Sequence, residues 1–166
     1  MIAWHSLPTR ASDDPLQALR ALTGEWVGKE EGSFGQGKGT RTYRSILQDR
    51  YVLSDNHSVF EPQPGLEKGD EHRDWTIFSY DSAHGRIVAR QFNSEGFVNR
   101  LVQEKRPPGE PLLFVSEASE NGPEGLRARL TLDFLSESEF SETFELASPG
   151  QEYRVVLRNH WIRRGQ

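Results

Sequence analysis

Residues 75–88 read WTIFSYDSAHGRIV. Two strand-length runs that interleave apolar with polar side chains flank the turn 81–85, which contains Asp81, His84 and Gly85. Short turns of this composition join neighbouring antiparallel strands, so the stretch predicts a β-hairpin. The same period of two, interrupted by Gly, Pro, Asn and Asp turns, continues from Trp26 to the last residues. The chain is therefore predicted to be built almost entirely of strands.

Ten strands are predicted from this pattern, at about 25–33, 39–48, 50–60, 73–81, 86–93, 97–105, 111–118, 126–135, 138–147 and 152–164. Most connections are short, which makes sequential strands antiparallel neighbours. The exception is 61–73, rich in Pro, Gly and charge, which is predicted to be a mobile loop at one mouth of a barrel. A meander of this length leaves two exposed edges unless the last strand pairs with the first. The predicted fold is therefore an all-β, closed, antiparallel up-and-down barrel of about ten strands.

A short helix is predicted ahead of the first strand. Asp14 can cap it, Pro15 begins its first turn, and Gly24 can end it. One narrow apolar stripe follows from leucines spaced by three, Leu16, Leu19 and Leu22. We expect this helix to act as a plug or lid. Residues 1–12 are predicted to form a flexible arm and residues 13–166 a single barrel domain.

Composition excludes several classes of function. The chain has 166 residues, 20 basic and 25 acidic, for a net charge of −5, which disfavours nucleic acid as a partner. No cysteine is present, so disulfides, thiolate zinc sites and cysteine nucleophiles are excluded. The first residues lack the pattern of a signal peptide or a membrane span. We expect a cytoplasmic bacterial protein, monomeric or homodimeric.

Two sets of residues carry a resemblance to a known superfamily. The first is LTGEW at 22–26, a Gly-x-Trp entering the first strand, combined with an arginine near the end of the final strand that can stack over the Trp. The second is the run 75–81 followed by the glycine turns at 85 and 96. Over about residues 20–164 the chain resembles the calycins, which include lipocalins, fatty-acid-binding proteins and nitrobindin-like barrels, and within them a bacterial branch. The resemblance implies a barrel that binds a ligand in its interior.

A head-group site is predicted from arginines flanked by apolar neighbours on one strand face. Arg90 lies between Val88 and Phe92, and Arg100 has a similar setting on the next strand. A guanidinium suits a carboxylate, and fatty-acid-binding barrels use an Arg and Tyr set for this purpose. The predicted set is Arg90, Arg100, Arg158 and Tyr43, with aromatic walls that include Trp75 and Phe92. An outward orientation, with the arginine stems covering exposed apolar groups, is the alternative.

Histidines and charged clusters supply further candidates. His57 and His160 are predicted ligand-binding residues. His57 shares a strand face with Asp55 and Val59, and His160 shares one with Arg158 and Ile162. Asp70, His72 and Asp74 have the spacing that would align three donors on one face of a strand, but a solvated strand edge is the favoured interpretation because the setting is a charged loop that runs into a strand. The glycine-rich segment 35–39 lacks the spacing of a phosphate-binding loop and is predicted to be a flexible hairpin. No metal site is predicted, and catalytic signatures are absent.

The predicted function is non-catalytic binding of a small, mostly apolar, acidic molecule in the barrel interior. Two alternatives remain open. One is haem binding through His160 or His57, which the nitrobindin-like relatives suggest. The other is a calycin-type isomerase or decarboxylase acting on an acidic small molecule, which requires His57 or a carboxylate within hydrogen-bond reach of Tyr43.

Overall fold

The structure is a computed structural model that describes residues 14–33 and 35–165. It contains one short helix, α1 (Gln17–Arg20), and ten strands: β1 (Gly24–Gly32), β2 (Gly35–Ile46), β3 (Tyr51–Phe60), β4 (Asp70–Asp81), β5 (Arg86–Asn93), β6 (Val98–Glu104), β7 (Leu112–Glu120), β8 (Arg127–Ser136), β9 (Glu139–Ala147) and β10 (Arg154–Arg163). The predicted arm, residues 1–12, lies outside the described residues. No helix in the described part of the chain is long and apolar enough to cross a membrane.

The ten strands form a closed antiparallel barrel in which every strand pairs with its neighbours in sequence. Closure comes from β1 and β10, whose register runs from Trp26 opposite Arg163 to Gly32 opposite Leu157. The predicted fold class is thereby confirmed. Pairing the first strand with the last removes both free edges, which would otherwise expose unpaired backbone groups.

Two strands begin earlier than predicted. β4 starts at Asp70, so part of the expected loop is paired strand, and β2 starts at Gly35, within the segment predicted to be a flexible hairpin. The glycines of β2 are required by close packing. A Cβ atom on Gly37 would lie 2.7 Å from the ring of Phe60, and one on Gly39 would overlap the ring of Trp161. The absence of side chains leaves room for these rings inside the barrel.

Helix α1 closes one end of the barrel, as predicted. The leucines of its apolar stripe, Leu16, Leu19 and Leu22, are all buried. Trp26 lies beneath them, and its indole Nε1 donates a hydrogen bond to the Leu22 carbonyl at 2.7 Å. Arg163 stacks over the Trp26 ring, 4.3 Å from its centroid, and donates to the carbonyls of Ala21 and Thr23. The arginine–tryptophan stacking expected from the sequence is therefore present.

The interior has two halves of different character. Next to α1 the barrel is filled by an apolar cluster that includes Trp26, Phe78, Phe114 and Phe140. Toward the opposite end, where β3 ends and β4 begins, the inward-facing residues are largely polar, among them Asn56 and Ser58. This polar half contains a cavity.

Candidate functional site

A cavity of about 380 Å³ occupies the half of the barrel away from α1. This volume lies within the roughly 300–1,000 Å³ that small-molecule sites occupy. Much of the wall is apolar, contributed by Phe60, Phe97, Leu130, Leu132, Phe144 and Leu146. The remaining wall is polar and comes chiefly from the inner faces of β1 to β4, β9 and β10.

A buried ion pair spans the interior between β2 and β9. The Nη1 and Nη2 atoms of Arg41 donate to the two carboxylate oxygens of Glu142 at 2.5 and 3.0 Å, and both side chains are more than nine-tenths buried. Arg41 also donates from Nε to Asn56 at 3.0 Å and lies 4.2 Å over the Trp161 ring centroid. Burial acts to lower the pKa of Arg41, but the charge and hydrogen bonds of Glu142 outweigh it, so the pKa is raised and the guanidinium stays charged.

A second chain of polar contacts leads from Arg41 toward the end of the barrel opposite α1. Asn56 donates from Nδ2 to Asp74 at 3.0 Å, and Thr76 donates to the other oxygen of Asp74 at 3.1 Å. His72 lies with one ring nitrogen 3.4 Å from Asp74 and the other 2.7 Å from Glu95. The hydrogen bond with Asp74 raises the pKa of His72 to about 9, although burial acts to lower it. Glu95 adds to the increase. His72 is therefore an imidazolium near neutral pH.

Asp74 is correspondingly ionised. Burial acts to raise the pKa of this carboxyl group, but the hydrogen bond with His72 and the charge of Arg41 outweigh it, and the pKa lies below its ordinary value.

Glu30 is a buried carboxyl group of this wall that has no ion-pair partner among the described residues. It is 2% exposed, and its Oε1 accepts a hydrogen bond from Ser58 at 2.7 Å. Burial raises the pKa of Glu30, and the Ser58 hydrogen bond offsets only part of that effect. Directly opposite on β10 lies Asn159, which donates from Nδ2 to Glu142 at 2.8 Å. In the described structure, Glu30 Oε2 and Asn159 Oδ1 are buried oxygens without a hydrogen-bond partner.

Tyr43 is the one predicted site residue that lines the cavity. Its hydroxyl accepts a hydrogen bond from Arg41 at 3.3 Å, and burial raises its pKa. Within the described chain no hydrogen bond joins Tyr43 to a carboxylate, and His57 lies on the outer face of β3. The arrangement required for the catalytic alternative is therefore not present around Tyr43.

The other predicted site residues lie on the outer surface, and their expected inward orientation is wrong. Trp75 is 54% exposed, opposite the exposed Phe92 on the neighbouring strand. Arg90 donates to Ser79 at 3.0 Å, and its cross-strand neighbour Arg100 is paired with Glu117. The remaining outward residues are Arg158, His57 and His160.

The physical reason for this correction is the polar interior. The prediction took the apolar neighbours of Arg90 as marking the inner face of β5, because interiors are normally apolar. In this half of the barrel the inner face of β5 carries Gln91 and Asn93 instead, while Phe92 points outward. A one-residue error in assigning the inward face inverts every side chain of a strand.

The residues present do not fit haem ligation as predicted. His57 is paired with Glu71 at 2.9 Å and His160 with Glu139 at 2.5 Å, both outside the cavity. His72 does line the cavity, but both of its ring nitrogens are held by carboxylates. Over residues 14–33 and 35–165, no group of three or more His, Asp and Glu side chains could hold a metal ion.

Sequence reasoning did not single out the polar residues that build the site, Arg41, Asn56, Glu142 and Asn159. A usable signal existed in β3, where Ser54, Asn56 and Ser58 share a face with Val52 and Phe60. Polar residues between apolar ones of the same parity indicate a buried polar layer. The partner of that layer, Glu142, lies 101 residues from Arg41, and no local pattern connects the two.

Comparisons with known proteins add information on the fold. No protein-family model matches the chain, and no curated protein matches its sequence. The crystal structure of Rv2717c from M. tuberculosis superposes with a TM-score of 0.64 at 14% identity, covering 91% of this chain and 98% of that one. A de novo designed fluorescence-activating β-barrel gives a TM-score of 0.34 at 16% identity, covering 89% of this chain and 97% of that one, too low to support an argument. At these identities the likeness to Rv2717c concerns the fold alone.

Proposed function

We propose that this barrel binds one small, mostly apolar molecule in its interior, without catalysing a reaction. The observation that carries the proposal is the cavity of about 380 Å³, whose wall combines apolar side chains with a few convergent polar groups. Burial of an apolar body against such a wall supplies affinity, and the polar groups orient one end of the ligand.

We further propose that the barrel belongs to the calycin superfamily. Support comes from the closed antiparallel topology together with Gly24-Glu25-Trp26 at the start of β1 and the stacking of Arg163 on Trp26. The predicted cytoplasmic location and the monomeric or homodimeric state stay predictions.

The acidic character predicted for the ligand rested on Arg90, Arg100 and Arg158, which face away from the cavity. Among the described residues of the cavity wall the only arginine is Arg41, and Glu142 already binds its guanidinium through both oxygens. The wall therefore offers a carboxylate no free arginine. The proposal is accordingly limited to the apolar body of the ligand.

The alternatives are less well supported by the same geometry. Haem would need an interior histidine with a free ring nitrogen, and His57 and His160 are outside. Isomerase or decarboxylase chemistry would need a base beside Tyr43, whose raised pKa keeps the phenol protonated near neutral pH.

The uncharged probe 1-octanol tests the proposal, because its binding does not depend on a charged head group. At a concentration of about ten times its Kd, a ligand stabilises the folded state by about 1.4 kcal/mol, or roughly 3–6 °C in Tm for a chain of this length. We expect this shift in the unmodified protein and in Arg90→Trp, which enlarges an exposed residue. We expect it to disappear in Gln91→Trp, which places a ring in the cavity from the next position along β5.

Both variants are first checked for cooperative unfolding in the absence of probe, because Gln91→Trp also removes a hydrogen bond from Asn99. Equal shifts in the two tryptophan variants, or no calorimetric binding of 1-octanol to the unmodified protein, would exclude the cavity as the binding site.

A further inference from the structure

The polar end of the cavity contains two buried oxygens that lack donors. Glu30 and Asn159 face each other across the β1–β10 pair, and both line the cavity. Glu30 Oε2 and Asn159 Oδ1 have no hydrogen-bond partner among the described residues, although the side chains are 2% and 4% exposed. Buried polar atoms in folded proteins nearly always have partners, so each exception requires an explanation.

The orientation of the two groups is determined by their other contacts. Ser58 donates to Glu30 Oε1, and Asn159 uses its Nδ2 to donate to Glu142. Rotating the Asn159 amide would replace this favourable contact with an oxygen facing a carboxylate. The two oxygens without partners are therefore both acceptors when Glu30 is ionised, and they lie on neighbouring inward-facing residues.

The charges of the cavity wall favour a positively charged ligand. Among the described residues, five carboxyl groups line the cavity: Glu30, Asp70, Asp74, Glu95 and Glu142. The basic groups in the same part of the wall are the guanidinium of Arg41, which is bound by Glu142, and the imidazolium of His72, which lies between Asp74 and Glu95. The basic groups are thus already paired, and Glu30 has no ion-pair partner in the described part of the chain. A cation entering the cavity meets an excess of negative charge, whereas an anion meets repulsion.

Among small polar groups, a primary ammonium matches both observations. It carries three N–H donors on one centre, enough to reach two neighbouring acceptors, and its charge compensates Glu30. A hydroxyl group has one donor and no charge, and a carboxylate has no donor at all. Two protein oxygens from Glu30 and Asn159 are too few to retain a bare metal ion.

We propose that the ligand is a primary amine with an apolar body, and that Glu30 and Asn159 bind its ammonium group. This deepens the function proposed above and rests on it. Burial, which raises the pKa of the free Glu30 carboxyl group, is offset when a cation binds beside it. The apolar remainder of the amine extends along Leu130, Leu132 and Phe144.

The test uses three probes with the same eight-carbon tail: 1-octylamine, 1-octanol and octanoate. Isothermal titration calorimetry near neutral pH measures the affinity of each for the full chain. We expect 1-octylamine to bind about tenfold or more tightly than 1-octanol, and octanoate to bind most weakly. Because the tails are identical, the differences report the head group alone.

Glu30→Gln is the matching variant, since it keeps the size of the side chain and an oxygen for Ser58 but removes the charge. This variant should weaken the binding of 1-octylamine by about tenfold and change the affinity for 1-octanol by less than about threefold. Glu31→Gln, one residue along on the exposed outer face of β1, should leave both affinities unchanged.

The outcomes separate the two proposals. If 1-octanol binds in the cavity and 1-octylamine binds no more tightly, the assignment of Glu30 as an ammonium site is wrong while ligand binding stands. If all three probes fail to bind, the proposed function itself fails. Equal weakening of 1-octylamine by Glu30→Gln and Glu31→Gln would mean attraction to the overall negative charge, which also overturns the site. The probe series on the unmodified protein decides the question even if Glu30→Gln does not fold.

Discussion

Replacing Glu142 by leucine should strongly destabilise the barrel. The guanidinium of Arg41 is buried and cannot lose its proton, so the variant leaves a charge in the interior without its bidentate partner. Breaking a buried ion pair in this way costs about 3–5 kcal/mol. Asn159 loses its acceptor as well, about 1 kcal/mol more, while the nearby charge of Asp74 compensates part of the loss. We expect a net decrease of about 4 kcal/mol in the free energy of unfolding.

The reciprocal variant, Arg41→Met, should cost less, about 3 kcal/mol near neutral pH, because Glu142 can take up a proton when its partner is gone. Removing both charges together should cost only about 2–3 kcal/mol, well below the sum of about 7 kcal/mol, because no uncompensated ion remains. This non-additivity is the signature of a pair that stabilises mainly by mutual compensation.

Urea unfolding followed by tryptophan fluorescence measures all three variants, provided that their m values agree. Arg129 and Glu145 supply the control, since they form a similar bidentate contact at 2.6 and 2.7 Å on the outside of the barrel. Glu145→Leu should cost no more than about 1 kcal/mol. Additive losses in the double variant, or a cost below about 1 kcal/mol for Glu142→Leu, would refute the reasoning.

Three further outcomes are expected. The pKa of His72 is about 9, above its ordinary 6.5, so the stability that comes from its pairing with Asp74 is complete below about pH 6.5 and is lost as the pH rises toward 9. Unfolding curves measured across that range should show a decline of about 2 kcal/mol in the unmodified protein and no such decline in His72→Gln. Arg163→Met removes the hydrogen bonds to the carbonyls at 21 and 23 and should cost about 2 kcal/mol, with faster amide hydrogen exchange in α1; unchanged exchange would contradict the role given to Arg163. Gly37→Ala places a methyl group against the Phe60 ring and should lower stability by about 1–3 kcal/mol in the same urea assay, whereas a neutral result would show that the ring can move aside.

The fold could be predicted because its determinants are local. Each of the ten predicted strands corresponds to an observed strand, since alternation and turn residues act over a few positions. Gly85 and Gly96, for example, adopt φ values of +62° and +91°, where glycine is favoured, and each lies in a turn that joins neighbouring strands. Short connections left few choices for strand order, and closure followed from the need to pair the two edges.

The site could be predicted only in small part. Tyr43 was identified, and the spacing of His72 and Asp74 correctly suggested a shared face, but the arginine set was assigned to the wrong side of the barrel. Strand β5 shows why: its apolar Phe92 faces solvent, and its polar Gln91 faces the cavity. Where a barrel buries polar groups, hydrophobicity no longer distinguishes inside from outside.

The amino-acid sequence alone determined the strands, their antiparallel neighbours and the plug formed by α1, because each depends on residues close together in the chain. Tertiary structure alone decided which face of each strand is enclosed, and it brought Arg41 against Glu142 and Glu30 against Asn159. Those contacts join residues more than a hundred positions apart, and a side chain's burial and charge balance depend on partners that exist only once the barrel has closed.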